Sequence, residues 1–105
     1  MTAIDKFIEA VQKHQFKEAH ELLEDDWKAY KKIGLKDHAR ILKGLINGTT
    51  AIALFVKGRL PQCLKIWKAF NKYMQFLDTT DLENKERFVY AKKLLEKKFE
   101  EVVKI

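Results

Sequence analysis

A chain of 105 residues, 47% hydrophobic, is long enough for one domain with a single core and too apolar for a disordered tail. Cys63 is the only cysteine and serine is absent, which excludes a disulfide framework, a thiolate zinc cluster and serine-based acyl transfer. The formal net charge of +6 raises the prior for an anionic partner, but lysines 92, 93, 97 and 98 interleave with Glu96, Glu100 and Glu101, the pattern of a solvated helix face.

One proline and four glycines suit long helices with short connections. The opening MTAIDKFIEA has an acid at position 5 and no apolar run of signal-peptide length. Thr2 is placed to cap a first helix whose apolar positions are Ile4, Phe7, Ile8 and Val11. QKHQ, residues 12–15, predicts a tight connection. A second helix follows from about Phe16 to Ile33, with Gly34 just past its end. The third helix is expected from about Asp37 to Lys57. Its stretch GLINGTTAIALFV carries no charge on any face, so it is predicted to be central. That uncharged run, Gly44 to Val56, is shorter than the ~20 residues that cross a bilayer. Gly44 and Gly48 lie one turn apart, spacing that lets another helix approach closely.

Gly58 and Pro61 punctuate the chain before a fourth helix. Its stripe is Cys63, Ile66, Trp67, Phe70, Tyr73, Met74 and Leu77. Thr80 and Glu83 have capping-box spacing before a last helix, about 82–104, with Phe88, Ala91, Leu95, Phe99 and Val102 on one side. A faint internal repeat lays VQKHQFKEAHELL (11–23) over FVKGRLPQCLKIW (55–67), an offset of 44 residues. The shared element is a helix end, a short turn and a second helix, the logic of tetratricopeptide-type hairpins without their signature residues.

The first hairpin differs from the second in one chemical respect. His20 stands where the repeat has Leu64, on the stripe of Phe16, Leu23 and Trp27. Glu24 lies one turn on, about 40° away on a helical wheel. His20-Glu21-Leu22-Leu23-Glu24 lacks the second histidine of the zinc-protease pattern. A buried histidine needs partners, so Glu24 is expected on one ring nitrogen and Asn47, from the central helix, near the other. Trp27 reads as a core aromatic that also flanks His20. Cys63 reads as a small packing residue, because no histidine is spaced to activate it.

The segment F-x-E-A-H-E-x-L-E-x-x-W, carried by Phe16, Glu18, Ala19, His20, Glu21, Leu23, Glu24 and Trp27, resembles the family grouped as domain of unknown function 309. A second block, Q-G-L-I-Q, has Lys43-Gly44-Leu45-Ile46-Asn47 in its place, and a third, G-N-x-x-G-A, has Gly58-Arg59-Leu60-Pro61-Gln62-Cys63. Both glutamines and the asparagine of those blocks are replaced here, by Lys43, Asn47 and Arg59. The resemblance spans about residues 7–77 and implies a compact all-helical domain with no established activity or cofactor.

These readings predict one all-α domain over residues 1–105: a compact bundle of about five helices, built from two helix-turn-helix hairpins with TPR-like packing. The leading functional expectation is a cytoplasmic, non-catalytic interaction or structural module with a protein partner, a second copy of itself included, and no cofactor, metal or membrane. The alternative is a small-molecule or metal-assisted enzyme using His20 and Glu24. Nucleic-acid binding through the lysines ranks last. The candidate polar site is His20, Glu24, Asn47, Trp27, Glu18 and Glu21.

Overall fold

Thr2 opens the first helix, α1 (Ala3–Gln12), in the computed structural model, which describes residues 1–104. Its hydroxyl accepts the Asp5 N–H at 3.3 Å and donates to Asp5 Oδ2 at 2.8 Å. Arg87 Nε donates to the other oxygen of Asp5 at 2.8 Å, so the cap also ties the chain's first turn to its last helix. The Thr2 hydroxyl and the Arg87 guanidinium hold the Asp5 carboxyl below its ordinary value.

The five predicted helices are all present, and the second is broken. It divides at Leu23 into α2 (Phe16–Leu22) and α3 (Glu24–Lys32). No glycine or proline marks the break. The three acids Glu24, Asp25 and Asp26 do, since they suit the positive end of a new helix. Leu23 itself is sealed in the core, while α3 contributes no fully buried residue.

The central helix is α4 (Lys36–Val56), and the fourth predicted helix is α5 (Leu60–Met74) running into a 3-10 turn, Gln75–Asp78. One turn recurs three times. The N–H of Gln15 bonds the carbonyl of Ala10 at 2.8 Å, that of Leu35 bonds Tyr30 at 3.0 Å, and that of Arg59 bonds Leu54 at 2.9 Å. The preceding residues, His14, Gly34 and Gly58, have φ of 58°, 83° and 80°. Left-handed closure of this kind satisfies the last carbonyls of a helix. The internal repeat therefore has a physical basis at His14 and Gly58, and Gly34 supplies a third copy.

The last helix, α6 (Lys85–Val102), starts later than the sequence suggests. Thr80 and Glu83 form no capping box. Asn84, at φ 58°, enters the helix without a side-chain cap. Leu82 is drawn into the core, and the Thr80 hydroxyl, buried with it, has no hydrogen-bond partner among the described residues.

α4 packs against α2, α3, α5 and α6. It is long and apolar enough to cross a bilayer by length and composition alone, a test that a core helix also passes, and 56% of its most apolar window is buried. Two glycines set the distance of closest approach. A Cβ on Gly44 would lie 2.9 Å from the Cβ of Tyr73 and 2.5 Å from the tip of Met74, both on α5. A Cβ on Gly48 would lie 2.8 Å from Phe70 on α5 and 2.9 Å from Leu95 on α6. Trp67 stacks on Phe70 at 4.2 Å and on Phe99 at 3.9 Å, joining α5 to α6.

Alanine at either glycine gains helix propensity of about 1 kcal/mol. The overlap outweighs it, because Phe70 and Leu95 are fully buried and the Cβ of Tyr73 moves only with its backbone. Gly44→Ala and Gly48→Ala are each expected to lose roughly 1–3 kcal/mol in a denaturant titration. A gain in stability from either variant would contradict the close approach.

Candidate functional site

α2 turns Phe16 and Ala19 into the core, and Leu23 follows them at the break. Ala19 sits nearer the centre of that buried face than His20, which is offset toward its edge. The expectation of a sealed histidine therefore fails: the His20 side chain is 37% exposed and that of Glu24 32%. The pair itself forms, with His20 Nδ1 at 3.1 Å from Glu24 Oε1. Lys28 Nζ stands 4.0 Å from the other Glu24 oxygen. With Nδ1 held, Nε2 is the ring atom left for another group.

The remaining candidates disperse. Asn47 is 9% exposed on α4, and no hydrogen bond joins it to His20 among the described residues. Glu18 and Glu21 are exposed and line a depression against α1 with Lys6 and Glu9, away from the His20 ring. Trp27 is half-buried and belongs to a different depression from His20, because the break at Leu23 reorients α3. Among the described residues, no three histidines, cysteines or carboxylates gather as metal ligands would.

His20 borders an open cleft of about 210 Å³ between α2 and α4. Phe16, Ala53 and Leu54 form its apolar walls, Thr50 adds a hydroxyl that already donates to the Ile46 carbonyl at 2.9 Å, and Lys17 and Lys57 stand at its rim. Trp27 walls a second depression, of about 380 Å³, with Tyr73 and a group of cations. Lys31 Nζ lies 4.8 Å and Lys43 Nζ 4.4 Å from the centre of the Trp27 ring.

The α4 residues at both sites escaped the sequence reading, yet their spacing was visible. Lys36, Arg40, Lys43, Asn47, Thr50 and Leu54 recur at alternating steps of four and three, with Lys57 next just past the helix end. Such steps hold to one side of a helix. This stripe is cationic at its start and apolar toward its end, and the two depressions lie along it.

The sequence profile of the family described as Domain of unknown function (DUF309) matches residues 4–66. The chain belongs to this family. The matched span of this DUF309 protein runs from α1 into α5 and holds His20, Glu24, Trp27 and the whole α4 stripe. Comparison with curated proteins and with solved structures gave no match.

Cys63 lies apart from both depressions, fully buried with Ala51 and Val103. Burial pushes its thiol above the ordinary value, which disfavours the nucleophilic thiolate. A thiol reagent is expected to label the folded protein far more slowly than the urea-unfolded chain. Rapid labelling of the folded state would show that Cys63 is accessible and reopen its chemistry.

Proposed function

We propose that this DUF309 domain is a small, non-catalytic binding module of the cytoplasm, and that the α2–α4 cleft receives a segment of a protein partner. The position of His20 carries the reading: its ring, oriented by Glu24, borders an open apolar cleft. Phe16, Ala53 and Leu54 offer a hydrocarbon side chain a place out of water. Lys17 and Lys57 at the rim suit a neighbouring carboxylate, and His20 Nε2 adds a directional contact. The fitting partner shows a leucine-like side chain beside an acid, as one face of an amphipathic helix does. A lone buried thiol suits a reducing compartment.

The same pair supports a second reading. A carboxylate on Nδ1 orients an imidazole for general acid–base work through Nε2. His20→Gln separates the two, because it keeps a hydrogen-bonding side chain and loses proton transfer.

The probe is a blocked helical peptide with leucines and glutamates on one face, followed by amide NMR shifts. It is expected to perturb Phe16, Lys17, His20, Ala53 and Leu54, and to bind His20→Gln within a few-fold of the parent. Leu54→Glu, which places a charge in the apolar wall, is expected to abolish the shifts. Binding that is centred elsewhere, or that survives Leu54→Glu unchanged, would overturn the cleft as the partner site.

A further inference from the structure

The second depression has a different chemistry from the α2–α4 cleft. Lys31 reaches it from α3, and Lys36, Arg40 and Lys43 reach it from α4. Among the described residues, no carboxylate lines it. Arg40 is partly neutralised by Asp37 at 3.0 Å, and Asp37 lies outside the lining. Among the described residues, Lys31, Lys36 and Lys43 make no ion pair.

Trp27 brings two of these charges together. Both ammonium groups lie over one indole, within 4.8 Å of its centre. The ring attracts each of them, while the two cations repel each other. An anion in the depression offsets that repulsion. Lys36 and Arg40 lie in the opening turns of α4, whose N-terminus carries the positive end of a 21-residue helix dipole and has no side-chain cap. The volume, about 380 Å³, lies within the range of small-molecule sites, ~300–1,000 Å³. Trp27 and Tyr73 give the wall an aromatic surface for an organic group attached to the anion.

We propose that the α3–α4 depression is a binding site for a phosphorylated small molecule whose phosphoryl oxygens are met by Lys31, Lys36, Arg40 and Lys43. Lysine suits this role as a mobile point charge and arginine as a planar donor to phosphate. The site is independent of the α2–α4 cleft, so either can fail without the other.

Amide NMR titration at physiological salt tests it with inorganic pyrophosphate, ADP and a short deoxythymidylate strand as probes. Pyrophosphate and ADP are expected to give saturable shifts around Lys31, Lys36, Arg40 and Lys43, and to move the Trp27 indole N–H. Lys31→Glu and Lys43→Glu should each weaken binding by roughly tenfold or more. The paired control, Lys92→Glu with Lys93→Glu on α6, changes net charge further and should leave it unchanged. Circular dichroism of each variant confirms that the helices remain. Absence of saturable binding, or equal loss in the α6 control, would overturn the site. Tighter binding of the deoxythymidylate strand than of ADP through the same residues would overturn the small-molecule assignment in favour of a nucleic-acid surface.

Discussion

The closeness of α5 and α6 to α4 is the constraint on which the rest of the molecule depends. Gly44 and Gly48 leave no Cβ between the helices, and Tyr73, Met74, Phe70 and Leu95 occupy the space that a side chain would need. Burial follows from that approach: Ile41, Leu45 and Ile52 on α4 are all fully enclosed. Fully burying each such side chain contributes ~1.5–3 kcal/mol relative to exposure. A glycine pair that is unfavourable for an isolated helix is thereby offset by dispersion and apolar burial across its neighbours.

Packing on that side decides what happens on the other. The stripe from Lys36 to Leu54 is left partly open by its neighbours at its two ends and is closed at Asn47 between them. α2 meets its apolar end and α3 its cationic end, and the two depressions result. The break at Leu23 separates them. A continuous helix from Phe16 to Ile33 would have kept His20 and Trp27 on one line, whereas the broken one assigns His20 to a hydrocarbon cleft and Trp27 to a cluster of lysines. One helix edge thus serves two chemistries.

The elements were legible in the sequence because their signals are local. Thr2 capped α1 as its spacing implied, Gly34 and Gly58 closed helices, and the uncharged run marked the central helix. The glycine pair was also readable, since a costly residue repeated one turn apart needs a packing reason. The misses were tertiary. Periodicity placed His20 on the apolar stripe but gave no measure of how far from its centre, and Ala19 took the innermost position. The Thr80–Glu83 spacing was right for a cap, but burial of Leu82 pulled Thr80 inward. Lys43 over Trp27 joins two helices and leaves no local pattern. Among the missed tertiary features the α4 stripe alone had a sequence signal, its alternating four-three steps, hidden because its character changes from lysine to leucine along the helix.

In this architecture α4 is the fixed wall of both depressions and α3 the movable wall of the second alone, because α4 is enclosed by four helices and α3 buries no residue completely. Native-state hydrogen exchange measures that difference directly. The amides of Leu45 to Ile52 are expected to exchange only through global unfolding, and those of α3 through local opening at clearly lower free energy. Protection of α3 equal to that of α4, or local opening of α4 ahead of α3, would contradict the account.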